Sequence, residues 1–165
     1  SKKVNGVSLT TVPAAHSNGI GGSMIGGELG ALLDLSGLTA YAGPPTGYVL
    51  IFSNGLKVYL SGETGITAEQ KAVVKDHYGV NLAVMNIGDT YTTGPREAAY
   101  VVNELIEPTS VIASHANEQA TKNGKLLAGT RTEEFVQASE MPVHIPLSGK
   151  TMHFDGQGRC QSGCE

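Results

Sequence analysis

Four residues stand where metal-assisted chemistry could run: His16, Glu63, Asp89 and His115. Each follows a short apolar, strand-like run, and together they offer two imidazoles and two carboxylates. Those are nitrogen and oxygen donors of the kind that Zn²⁺ accepts. Read one at a time, they differ. Asp89, in Gly88-Asp89-Thr90 ahead of a helical pattern, fits a turn or capping residue better than a ligand. Glu63 fits a carboxylate near a helix amino terminus as well as it fits a ligand. His115, directly after a buried-type strand, fits a ligand better than a core histidine. His77, His144 and His153 read as structural or surface residues.

The elements that must hold these residues follow from periodicity and turn chemistry. Val7 to Val12 alternates and is β-branched, a strand running into Pro13-Ala14-Ala15-His16. From Gly19 to Gly47 the chain is glycine-rich and contains Pro44-Pro45, which reads as a long surface loop and a wall of the pocket. Tyr48 to Phe52 and Leu56 to Ser61 flank Asn54-Gly55, a strong hairpin signal. Thr67-Ala68-Glu69-Gln70 matches a capping box opening a helix to about Tyr78. Leu82 to Ile87 is a buried strand, and Pro95 with Glu97 starts a second helix whose apolar stripe is Ala98, Val101, Val102 and Leu105. Val111 to Ala113 is a third strand. Thr130-Arg131-Thr132-Glu133 caps a short helix, and Val143 to Leu147 with Thr151 to Phe154 reads as a closing strand pair around Gly149.

Strand, helix, strand, helix, strand implies parallel pairing with right-handed crossovers. Ligands then bind beyond the carboxyl ends of the strands, where Glu63, Asp89 and His115 lie. His16 also follows a strand.

Bulk properties narrow the function classes. A chain of 165 residues suits one domain, with residues 155–165 as a tail. Hydrophobic residues are 40% and charged residues 16%, with no apolar run near the roughly 20 residues of a membrane span. Net charge is −4 with scattered basic residues, against a nucleic-acid footprint. Cysteine is confined to Cys160 and Cys164, so a disulfide framework and a secreted setting are not expected, and a cytoplasmic location is. The cysteine pair reads as part of a frayed tail before it reads as a metal clip with His153. Gly149-Lys150-Thr151 lacks the upstream glycine of a phosphate loop, Gly19-Ile20-Gly21 is followed by Met24 where a dinucleotide fingerprint needs glycine, and no Gly-x-Ser-x-Gly elbow occurs.

Four segments, Pro13-Ala14-Ala15-His16-Ser17, Tyr59 to Gly65, Asn86 to Pro95 and Ser114 to Glu118, resemble in order and spacing the later motifs of metallo-β-lactamase-fold hydrolases. The branch they are similar to includes ascorbate-6-phosphate lactonases and other metal-dependent hydrolases. The resemblance, which runs from about Val4 to about Phe135, implies the carboxyl-terminal part of an αββα sandwich with its amino-terminal portion missing. It implies one or two metal ions, zinc, manganese or iron, with His16 on the first metal, Glu63 at the bridging position, His115 on the second, and Asp89 beside them as the catalytic-shell carboxylate. The implied reaction is attack of a metal-bound hydroxide on an ester, lactone, amide or phosphoester of a small molecule.

The family's His-x-His-x-Asp-His run has no counterpart, and its bridging Asp is here Glu63. A second copy or companion chain is therefore expected to supply the other half. A non-catalytic interaction module built on the same fold is the alternative function. An unrelated doubly wound binder would leave the four motifs to coincidence.

Overall fold

The computed structural model describes residues 1–88 and 90–164, so the Asp89 assignment lies outside the described residues. Its frame is a seven-stranded mixed sheet in the order β1-β2-β5-β6-β7-β8-β11. β1 (Lys2–Val4), β2 (Val7–Pro13), β5 (Thr46–Ile51) and β6 (Lys57–Leu60) pair antiparallel. β6, β7 (Leu82–Asn86), β8 (Ser110–Ser114) and β11 (Val143–His144) pair parallel. Two antiparallel steps separate β2 from β6, so both run the same way and end at one edge of the sheet. That edge receives His16, Glu63 and His115.

Local chemistry accounts for the connections. The β5–β6 hairpin closes on Asn54, whose Oδ1 accepts from the Leu56 amide at 3.1 Å, and on Gly55 at φ +93°. Between β7 and β8 the chain runs through α3 (Pro95–Tyr100), which continues as a π-helical segment Val101–Ile106. Pro95 opens α3, and the Glu97 carboxylate accepts from the Gly94 amide at 3.1 Å. α4 (Arg131–Ala138) starts on Thr130, whose hydroxyl accepts from the Glu133 amide at 3.1 Å.

These helices cover one face of the sheet. Val49, Tyr59, Ala83, Met85, Val111 and Ala113 pack there with Val74, Ala98, Val101, Val102, Ile106 and Phe135. Burial pushes the Tyr59 phenol up to about 12, against a smaller opposing effect of its hydrogen bond with Gln70. Alternate residues face the other way. Across that second face Tyr48, Leu60, Val84, Ile112 and His144 lie in register, strand by strand, and none of them is fully buried.

Four expectations change. Residues 19–47 are not one loop: they hold a two-stranded pair, β3 (Gly19–Ile20) with β4 (Ala40–Tyr41), around α1 (Gly22–Ile25) and α2 (Gly27–Ser36). The glycines sit where helices stop or touch. Gly26, Gly27 and Gly37 have positive φ, and a Cβ on Gly30 would lie 2.4 Å from the Gly22 carbonyl. Between them Glu28, Leu29, Ala31, Leu32 and Leu33 are good helix formers.

The segment after Thr67 is wound differently from the expected α-helix. Gln70 Oε1 accepts from the Thr67 amide at 3.0 Å, but the Thr67 hydroxyl has no partner, and the regular element is the π-helical Gln70–Lys75, beyond which helical bonds reach the Tyr78 and Gly79 amides. The closing strands do not pair with each other. β11 extends the main sheet beside β8, while β12 (His153–Phe154) pairs with β13 (Cys160–Ser162).

The tail is likewise a hairpin, turned on Asp155 and tied by a Cys160–Cys164 disulfide. It is secured to the sheet by the Ser110 hydroxyl, which donates to the Gly158 carbonyl at 2.6 Å. A second Asn-Gly turn, Asn123-Gly124, both at positive φ, joins β9 (Thr121–Lys122) to β10 (Lys125–Leu126). No helix among the described residues is long and apolar enough to cross a membrane.

Candidate metal centre

The strand ends bring three of the four expected residues together. His16 Nε2 lies 3.0 Å from one Glu63 carboxylate oxygen, and His115 Nε2 lies 2.5 Å from the other. Their side chains are 24%, 45% and 36% exposed for His16, Glu63 and His115, so the row is reachable from solvent.

Each member is held from behind. His16 follows Ala15, whose amide donates to the Thr64 hydroxyl at 2.9 Å and whose carbonyl accepts from the Gly65 amide at 2.8 Å. This two-point attachment fixes the His16 segment against the turn that carries Glu63. That turn leaves β6 through Ser61 and through Gly62 at φ +63°.

Beneath it is a buried polar cluster. The Asn86 amide donates to Ser61 Oγ at 3.0 Å, and Asn86 Nδ2 donates to the Thr64 carbonyl at 3.0 Å and to Thr93 Oγ1 at 2.9 Å. Ser61, Thr64, Asn86 and Thr93 are all essentially inaccessible to solvent. Sequence reasoning passed over them. The available signal was a polar Asn86 closing an otherwise apolar strand.

His115 has φ +50°, a left-handed conformation that costs a non-glycine residue about 1–2 kcal/mol. Strain of this kind gathers at functional sites. Space for it comes from Gly88, where a Cβ would lie 2.2 Å from the His115 carbonyl oxygen and 2.9 Å from its Nδ1. Outside the centre, His144 stacks edge-on with Phe154, and burial lowers its pKa.

The ring contacts test whether a cation belongs here. His16 Nδ1 lies 2.8 Å from the Ser17 carbonyl, which can only accept, so the proton sits on Nδ1. Nε2 then faces a Glu63 oxygen either as the N–H of an imidazolium or with a lone pair that, together with the carboxylate, can take up a cation. An imidazole that donates its other N–H to a backbone carbonyl is the usual arrangement of a metal-ligating histidine. The donor types therefore fit Zn²⁺, Mn²⁺ or Fe²⁺. The side chains are aligned as a row and do not converge on one point: among the described residues no group of three or more His, Cys, Asp or Glu encloses a single ion position. Two ions sharing Glu63 would each receive one imidazole and one carboxylate oxygen.

Open clefts run along the row. One of about 240 Å³ adjoins His16 and Glu63, and one of about 450 Å³ adjoins Glu63 and His115. A third, of about 380 Å³, has His115 in its wall.

This frame is that of the metallo-β-lactamase fold. The structure superimposes on Igni18, a metallo hydrolase from Ignicoccus hospitalis, with TM-score 0.58 and 22% identity, over 88% of this chain and 52% of that one. It superimposes on the metallo-β-lactamase fold protein YhfI from Bacillus subtilis with TM-score 0.57 and 8% identity, over 90% and 50%.

By sequence the chain is 31% identical over 149 residues to a UPF0173 metal-dependent hydrolase of Koribacter versatilis, covering 90% of this chain and 55% of the relative. It is 30% identical over 113 residues to one from Polynucleobacter asymbioticus, covering 68% and 38%. The chain thus spans from about two fifths to about half of the length of these curated relatives. No family model matches it. Relatives and fold together support the metallo-β-lactamase superfamily.

Proposed function

We propose that the chain is part of a metal-dependent hydrolase that cleaves an ester, lactone, amide or phosphoester of a small molecule, with zinc as the metal. The observation that carries this reading is the placement of two imidazole Nε2 atoms against opposite oxygens of one carboxylate. His16 would hold one ion, His115 the other, and Glu63 would bridge them. When bound, such ions acidify water and polarise the oxygen of the bond to be broken. The chain's own contribution is to orient the ligands through Thr64, Asn86 and Gly88, and to leave clefts where a substrate can lie along the row.

Two donors per ion fall short of the three protein ligands usual in catalytic zinc sites. A second polypeptide segment, from a companion or a second copy, would complete the set by covering the sheet face of Tyr48, Leu60, Val84 and Ile112. The shortfall also favours a second reading, a non-catalytic interaction module. The test is hydrolysis of p-nitrophenyl acetate and simple lactones by the zinc-treated protein, with and without a chelator. Turnover abolished by chelation and restored by zinc supports the hydrolase. Turnover indifferent to chelation contradicts it.

A further inference from the structure

The carboxyl-terminal hairpin crosses the edge of the sheet opposite the ligand row, where β6, β7 and β8 begin. Asn81, the residue before β7, joins these strands to it. Its Oδ1 accepts from the amide of Lys57, the first residue of β6, at 3.0 Å, and its Nδ2 donates to the Gly156 carbonyl at 3.0 Å. Its own carbonyl accepts from the Thr109 amide, ahead of β8, at 3.0 Å, and Ser110 of β8 bonds the Gly158 carbonyl. The contact is close enough to require glycine. A Cβ on Gly156 would lie 2.1 Å from the Asn54 carbonyl oxygen, and one on Gly158 2.2 Å from the Asn81 carbonyl oxygen.

The arms of the hairpin reach the last strand of the sheet. Phe154 meets His144 of β11 edge-on, and the His144 ring also hydrogen-bonds the Cys164 backbone. Beyond Phe154 there is little apolar surface to hold the chain down: residues 155–164 read Asp-Gly-Gln-Gly-Arg-Cys-Gln-Ser-Gly-Cys. Three glycines make the open form of this segment entropically favourable. Its closed form therefore depends on polar bonds and on the Cys160–Cys164 disulfide. Both cysteines are partly exposed, and exposed disulfides are the labile ones in thiol exchange.

We propose that Cys160–Cys164 is a redox-sensitive latch: closed, it holds the hairpin as a clasp across the starts of β6, β7 and β8, and opened by a dithiol it releases that clasp. The opening step is thiol–disulfide exchange. A thiolate of the reductant attacks one sulfur, the S–S bond breaks, and a mixed disulfide forms. The second thiol of the reductant resolves it. Two electrons and two protons have then passed to Cys160 and Cys164, which become thiols, and the reductant leaves as a cyclic disulfide. The latch does not depend on the hydrolase reading.

The test compares the full chain oxidised with glutathione disulfide and the same chain reduced with dithiothreitol, using free-thiol titration and amide hydrogen exchange by NMR. The oxidised chain should show no free thiol and the reduced chain both. On reduction, protection across residues 153–163 should fall about ten-fold or more. The amides of Lys57 and Thr109, which donate to Asn81, should lose protection with them, whereas the Ser61 amide, bonded to the Val84 carbonyl at the ligand edge, should not change. The double variant Cys160→Ser, Cys164→Ser should match the reduced chain and ignore dithiothreitol. Thiols that stay free under the oxidant overturn the proposal. Protection that is equal in the two states overturns it as well, and so does a loss confined to residues 160–164.

Discussion

The amide of Ala15 donates to the hydroxyl of Thr64 at 2.9 Å, and through this bond the chain leaving the second strand is registered against the turn that carries Glu63. His16 is one residue beyond the donor and Glu63 one residue before the acceptor. The contact therefore sets the distance between His16 and Glu63 without touching either side chain. Thr64→Val keeps the shape and removes the acceptor. We expect a loss of about 1–3 kcal/mol in stability from the unpaired Ala15 amide, and a roughly 10–100-fold weaker zinc affinity of the kind seen when outer-shell partners are removed. Competition with a chromogenic chelator measures the second effect, and unchanged affinity would show that Thr64 does not position His16.

Gly88 should tolerate no side chain. In Gly88→Ala the new Cβ would lie 2.2 Å from the His115 carbonyl oxygen, so the left-handed turn at His115 must move. Relief by backbone shift costs typically about 1–3 kcal/mol. The expected result is a lowered melting temperature together with weakened metal retention; a variant of wild-type stability and metal content would mean that this approach does not hold His115.

The Asn86 cluster predicts a larger effect on stability. Asn86→Ala leaves Ser61, the Thr64 carbonyl and Thr93 short of a partner in a buried setting. Each group left unpaired costs about 1–3 kcal/mol. Urea unfolding should show a clear drop in midpoint, exceeding that of an exposed control such as Asn18→Ala.

A pH effect is expected at the carboxyl-terminal hairpin. The Asp155 carboxyl is held below its ordinary value, chiefly by the Arg159 amide, with the Gln157 amide and the Arg159 charge adding to it against a smaller effect of desolvation. A depressed folded-state pKa stabilises the hairpin above the ordinary carboxylate range. That contribution fades as pH falls through the folded value. The protection factors of the Gln157 and Arg159 amides should therefore fall on acidification below about pH 4, and Asp155→Asn should remove this dependence. Protection in the wild type that is flat across that range would contradict the assignment.

Much of the sheet was legible because its signals are local. The Asn54-Gly55 turn, the apolar run of Leu82 to Ile87 and the caps at Pro95 and Thr130 each specify their element within a few residues. His16, Glu63 and His115 were legible as strand-end residues; parallel pairing brought Glu63 and His115 to one edge, and two antiparallel steps brought His16 there. What escaped reading depends on distant partners. The α2 helix is hidden by glycines, of which Gly30 meets Gly22, and β12 pairs with β13 only because the chain turns back on Asp155. The expected pairing of the two closing strands failed for the same reason: β11 has a better partner in β8, a parallel neighbour more than thirty residues earlier in the chain.

The central claim is that His16, Glu63 and His115 form a ligand set, and metal content tests it most directly. Protein purified without added metal would be analysed by plasma mass spectrometry beside His115→Ala and Glu63→Gln. The account predicts zinc, manganese or iron in the wild type at a stoichiometry near one or more per chain, and its loss in both variants. Wild-type protein that carries no metal and takes up none on titration would contradict it.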